Sequence, residues 1–162
     1  MLRHATPLRA ALAITLVAFA TIAGAWIFEA FGYLPCELCL KQRWAYYLGV
    51  PLAAVTSIVA TRSDTLARPL LWLLALLFAG SMAFGIYHAG VEWGFWPGPT
   101  ACTGAATAAD SMDDFRKQLQ ATQVVQCDKV AIRILGLSLA GWNAVISAAM
   151  AALAVMGARA KA

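Results

Sequence analysis

Charge is scarce in this sequence. Charged residues fill 12% of its 162 positions and hydrophobic ones 62%. Ordinary water-soluble domains carry roughly 25% and about 45–50%. So few ionic side chains cannot cover a water-facing surface, and the solvent this chain suits is lipid. The net charge of +4 is spread over scattered basic residues that form no stripe. The electrostatic footprint of a nucleic-acid-binding protein is therefore missing. No internal repeat and no low-complexity tract is present, alanine richness aside. Cysteine is absent from every long apolar run, where a cysteine serving as a small core hydrophobe would belong.

The apolar runs are what the chain does have. Ala10 to Phe28 is uncharged for 19 residues behind Arg3 and Arg9. A membrane helix needs about 20 residues to cross the hydrocarbon. Ala23-Gly24-Ala25 resembles a signal-peptide cleavage site, but a signal peptide's apolar core is only about 7–15 residues. The run is therefore read as a retained helix. A second run covers Trp44 to Thr61, with Pro51 tolerated inside it. The third starts at Pro69, a good first-turn residue, and the fourth covers Ser138 to Met156. The expectation is an all-α membrane protein of one domain, residues 1–162, built as a four-transmembrane-helix bundle. Its spans fall at about 10–30, 44–61, 69–88 and 138–157. Outer segments fall at about 31–43 and 89–137.

The longer segment opens with His88-Ala89-Gly90-Val91-Glu92 and runs into Trp96-Pro97-Gly98-Pro99, too rich in Gly and Pro to be helical throughout. Asp110 to Phe115 reads as a helix start, continuing to about Thr122. From Asp128 to Leu139, Val130, Ile134 and Leu137 share one helical face. That stretch is read either as lying in the headgroup layer or as the start of the last helix.

Four spans put both termini and the Arg62–Arg68 turn on one side. That side carries Arg3, Arg9, Arg62, Arg68, Arg159 and Lys161 against Asp64 alone. The other carries six basic residues against seven acids. The positive-inside rule makes the first side cytoplasmic. All four cysteines then lie outside: Cys36 and Cys39 in the short segment, Cys102 and Cys127 in the long one. The four tyrosines and five of the six tryptophans gather near that outer face, as interfacial aromatics do.

Four cysteines allow three pairings, and Cys36–Cys39 with Cys102–Cys127 is the simplest. A disulfide gains stability with the length of the loop it closes, so Cys102–Cys127 suits a staple and Cys36–Cys39 does not. A C-x-x-C suits redox exchange, one thiol attacking and its neighbour resolving. Zinc would need two further ligands at suitable spacing, and no metal is expected. Arg43 lies one helical turn after Cys39, where it can favour the Cys39 thiolate or donate to an acceptor at headgroup level. The bland alternative is a basic anchor snorkelling to phosphates. His88, at the outer end of the third run, is either a helix-end residue or functional. Glu29 and Glu92 pose the same question more weakly.

Cys36-Glu37-Leu38-Cys39 with Arg43, the later pair Cys102 and Cys127, and the Tyr87–Pro99 approach to the third cysteine resemble the DsbB family. These are the quinone-linked thiol oxidases of the bacterial inner membrane that keep the periplasm oxidising. The resemblance covers nearly the whole chain. It implies that a DsbA-like thioredoxin-fold partner in the periplasm attacks Cys102, leaving Cys127 as the other half of the exchanged bond. It implies that electrons pass to Cys36–Cys39, and from Cys39 to a quinone, ubiquinone rather than menaquinone. It makes Arg43 and His88 quinone-binding residues, and the partners the quinone pool and membrane lipid, with no nucleic acid. A vitamin K epoxide reductase-like enzyme is the nearest alternative, but there the loop pair precedes the C-x-x-C. A non-enzymatic scaffold with structural disulfides is the alternative from another class.

Overall fold

The computed structural model describes residues 6–99, 111–113 and 126–160. Four long helices form the bundle: α1 Pro7–Ala30, α2 Glu37–Ala60, α3 Asp64–Glu92 and α4 Leu139–Arg159. Each begins where a side chain caps its free N–H groups. Thr6 caps α1, Ser63 caps α3 and Ser138 caps α4. Cys36 caps α2, its sulfur accepting from the Cys39 backbone N–H. Pro7 stands in the first turn of α1. Pro69 does not begin α3. The helix starts at Asp64 behind Ser63 and carries Pro69 inside it. Pro51 likewise sits within an unbroken α2.

Three helices, α1, α3 and α4, are long and apolar enough to cross a membrane. α2 is less apolar, with Glu37, Lys41 and Arg43 in its first two turns. The burial pattern suits lipid on all sides. Leu16, Leu48, Ile58, Leu66 and Leu76 are all more than half exposed. The buried positions are instead rich in Ala10, Ala11, Ala18, Ala53, Ala67, Ala154 and Ser147. Apolar lipid gives no drive to bury leucine between helices, so small residues take the seams and let backbones approach. At Gly85 an added Cβ would come within 2.9 Å of the Ala144 backbone nitrogen, which marks how closely α3 meets α4. At Gly157 a Cβ would meet Ala10 at 2.5 Å, where α4 meets α1. Ile14, Leu71, Leu74, Phe78 and Met150 fill the remaining core.

The stretch before α4 is not helical, against both readings of its apolar spacing. Arg133–Ile134 and Leu137–Ser138 pair as an antiparallel hairpin, β1 and β2. The turn residues Leu135 and Gly136 both have positive φ, 52° and 84°. A two-residue loop of that shape matches the twist of the strands it joins. The Trp142 indole then donates to the Ile134 carbonyl at 2.8 Å and ties the hairpin to α4.

α3 runs on through His88, Ala89 and Gly90 to Glu92. Gly90 is needed for space, because a Cβ there would lie 2.1 Å from the Trp96 ring. Trp96 folds back over Gly90, stacks on Tyr87 and donates to the Tyr87 carbonyl at 2.9 Å. The Gly/Pro-rich approach to the third cysteine is thus packed against α3 as far as Gly98. Cys102 and nearly all of the expected helix from Asp110 to Thr122 lie outside the described residues.

Candidate functional site

The N-terminus of α2 organises the site. Cys36 is the cap and Cys39 sits in the first turn, so both sulfurs meet over the helix end, 2.7 Å apart. Neither is disulfide-bonded. The Cys39 backbone N–H donates to the Cys36 sulfur at 3.2 Å. A helix N-terminus favours negative charge, and here that charge falls on Cys36 rather than on Cys39.

His88 comes from the end of α3 and is 1% exposed. Its Nε2 lies 3.6 Å from the Cys36 sulfur. Its Nδ1 lies 3.1 Å from Nε2 of Gln42, one turn beyond Cys39. An amide nitrogen only donates, so with Gln42 placed this way Nδ1 accepts and the ring proton sits on Nε2, facing sulfur. The hydrogen bond from Cys39, with those from His88 and the helix N–H, lowers the Cys36 thiol from its ordinary 9.0 to about 5, against burial. The same bond, from the other side, raises Cys39, and burial and the Cys36 charge add to it. Cys36 is therefore the thiolate and Cys39 the protonated neighbour.

Cys127 meets this pair. It is disulfide-bonded and 2% exposed. With Cys36, Leu38 and Val91 it forms one small buried cluster, bordered by Cys39, Phe84 and Tyr87. Three of the four cysteines thus share one apolar nest where the start of α2 meets the end of α3. Glu92 closes α3 beside it. Burial pushes the Glu92 carboxyl above its ordinary range, and the nearby Ser138 and Arg133 partly offset this.

Behind the pair lies a cavity of about 530 Å³. α1, α2, the hairpin and α4 wall it, mostly with apolar side chains. Cys39, Gln42, Arg43 and Tyr46 all line it. Their spacing of three and four residues puts them on one face of α2. Arg43 donates to Glu29 Oε2 at 2.6 Å and to the Ala25 carbonyl at 3.5 Å, both on α1. Its partner is thus a carboxylate rather than the Cys39 sulfur, and its place is on the cavity wall. His88 is not on that wall; it stands on the other side of the cysteines, against Cys36. A flat apolar ring with polar oxygens fits such a space, which offers mostly apolar walls, a guanidinium and a thiol. The cavity therefore suits a quinone.

The site also gathers three metal-ligand atoms. The Cys36 and Cys39 sulfurs and a His88 nitrogen lie within 4.8 Å of one another. That is one ligand short of a closed tetrahedral zinc site, and no fourth joins them among the described residues. The sequence reading missed His88 as a partner of Cys36, and it missed Gln42, Tyr46 and Asn143. The helical stripe 39, 42, 43, 46 was available as a signal for two of these. Asn143 offered a weaker one, as an amide inside an apolar helix.

Comparison with known proteins agrees with this geometry. The family model described as "DsbB: Disulfide bond formation protein DsbB" matches residues 7–157. An "Uncharacterized protein RP370" of Rickettsia prowazekii (strain Madrid E) is 26% identical over 137 residues, covering 83% of this chain and 76% of that protein. No solved structure matches the chain.

Proposed function

This chain belongs to the DsbB family of membrane proteins for disulfide bond formation, and on that premise we propose that it oxidises a periplasmic dithiol protein at the expense of a membrane quinone. The observation that carries this reading is the position of the C-x-x-C. Cys36 packs with Cys127 on one side, and Cys39 lines the 530 Å³ cavity on the other. The pair thus bridges an exchangeable disulfide and an apolar ring site.

In this reading α2 is a fourth span, and the positive-inside side is cytoplasmic. Cys102 and Cys127 form the loop disulfide. The thiolate of a DsbA-like thioredoxin-fold partner attacks Cys102, breaking its bond to Cys127, and a mixed disulfide forms. The partner's second thiol then releases Cys102 as a thiol and leaves with a new disulfide. Cys102 and Cys127, now reduced, transfer two electrons to a Cys36–Cys39 disulfide in the same way. The quinone, when bound, takes up two electrons and two protons. The chain's own contribution is to hold Cys39 at the cavity wall, with Arg43 there as a fixed donor. Glu29 on α1 holds the guanidinium in place. His88 keeps Cys36 ionised, so that Cys36 is the nucleophile that recloses the bond on Cys39.

The direct test is turnover of a reduced thioredoxin-fold substrate with ubiquinone-1 in detergent. Cys36→Ser and Cys39→Ser are each expected to abolish it. Full turnover in both variants would refute the relay, and would leave the scaffold reading with structural disulfides.

A further inference from the structure

The cavity has a second polar pole, away from the cysteines. It is built by Tyr46 of α2, Asn143 and Ser147 of α4, and Ser81 of α3, which meet across the bundle. The Tyr46 hydroxyl donates to Asn143 Oδ1 and also lies 3.3 Å from Ser147 Oγ. Ser147 Oγ donates to Ser81 Oγ at 3.0 Å and lies 3.4 Å from Asn143 Oδ1. Every bond made to Asn143 ends on its carbonyl oxygen. Its amide nitrogen is buried and has no hydrogen-bond partner among the described residues. The residue as a whole is 8% exposed, yet it lines the cavity together with Tyr46.

A buried donor without a partner costs about 1–3 kcal/mol, and lipid offers no acceptor to relieve it. The Tyr46 hydroxyl satisfies the Asn143 oxygen and sets the amide plane, while the Ser147 proton goes to Ser81; the amide nitrogen is left as the end free to donate. Arg43 stands at the other pole. From Arg43 to Tyr46 is three residues, or about 4.5 Å along α2. A para-quinone has acceptor oxygens on opposite edges of its ring, which is the arrangement two separated donors would read.

We propose that Asn143 is a quinone-binding residue whose Nδ2–H donates to the ring oxygen remote from Cys39, so that the site holds a para-quinone by both carbonyls. This rests on the quinone reading above. It adds a specificity element: a ligand with a single acceptor edge would lose one of the two anchors.

The test measures binding and vibration rather than turnover. Trp142 lines the same cavity, so its fluorescence reports ubiquinone-1 occupancy. Asn143→Leu keeps the branched shape and removes the donor, while Tyr46 retains Ser147 as partner. We expect ubiquinone-1 to bind about tenfold more weakly to this variant, with its quinone-free melting temperature unchanged or higher. Ser147→Ala, which alters the network but not the cavity wall, is expected to bind as the wild type does. In wild-type protein loaded with ubiquinone-1 labelled with carbon-13 at one ring carbonyl or the other, both carbonyl stretches are expected to move down from their free values. An unshifted remote carbonyl in wild type overturns the inference even if Asn143→Leu fails to fold. Unchanged affinity in a folded Asn143→Leu overturns it as well, while leaving the oxidase reading intact. If wild-type protein neither binds nor reduces ubiquinone-1, the oxidase reading falls, and this inference with it.

Discussion

His88 Nε2 lies 3.6 Å from the sulfur of Cys36, across 52 residues of sequence. The contact joins the end of α3 to the cap of α2. It also assigns the two cysteines different tasks, because only one of them receives a donor from outside the pair.

That asymmetry has a pH signature. Cys36 is lowered to about 5 by Cys39, His88 and the helix end. Alkylation of the reduced protein by iodoacetamide, read peptide by peptide, should therefore show Cys36 reacting with a midpoint near 5, while Cys39 stays unreactive through neutral pH. For stability the sign follows from linkage. The folded value is depressed, so the thiolate stabilises the reduced fold fully above the ordinary thiol value of 9.0. That contribution declines below it and is lost as pH falls through about 5. The reduced protein should thus gain melting temperature between pH 5 and 9 relative to a Cys36→Ala variant. His88→Ala should move the Cys36 alkylation midpoint upward. A midpoint unchanged by His88→Ala would make His88 a packing residue.

Arg43 lines the cavity and is held there by Glu29 and the Ala25 carbonyl. Removing a charge-assisted bond of this kind costs about 1.5–3 kcal/mol when its acceptor is desolvated. Arg43→Ala should therefore raise the KM for quinone on the order of 10- to 100-fold. The KM for the thiol partner should stay near its wild-type value. Glu29→Gln should give a smaller effect in the same direction, since it frees the guanidinium without removing it. Steady-state kinetics with each substrate varied in turn separates these. Equal loss for both substrates would mean that Arg43 only anchors the helix.

The bundle seam is testable without any chemistry. At Gly85 a methyl group would press on the Ala144 backbone nitrogen at 2.9 Å, and backbone cannot swing away. Gly85→Ala should cost roughly 1–3 kcal/mol. That lowers the melting temperature in detergent by about 2–4 °C for each kcal/mol. At Gly80 a Cβ meets nothing within 4 Å, and Gly80→Ala should leave melting unchanged or raise it.

Much of this was legible in the sequence, for reasons that vary by residue. Cys36, Cys39 and Arg43 stood out because a C-x-x-C in a polar island between apolar runs has few other uses. The exposed leucines and buried alanines follow from composition alone, since a chain with so little charge must turn apolar side chains outward. The hairpin did not show, because Val130, Ile134 and Leu137 fall at helical spacing. Its turn rests on Leu135 at positive φ, a conformation that leucine rarely signals. The capping role of Cys36 was hidden because cysteine is not among the preferred caps. The pole at Asn143 depends on hydrogen bonds among three helices, and no spacing along one chain reveals those. His88 was visible by depth, but its contact with Cys36 needed the fold.

The central claim is that the Cys36–Cys39 pair delivers electrons to a quinone. It is tested most directly by reducing the purified protein anaerobically with a dithiol, removing the reductant, and adding ubiquinone-1 in measured portions. The account predicts one quinone reduced for every two thiols lost, with the first thiols to disappear being Cys36 and Cys39 in peptide mapping. Protein that stays folded and keeps both thiols in the presence of excess quinone would contradict it.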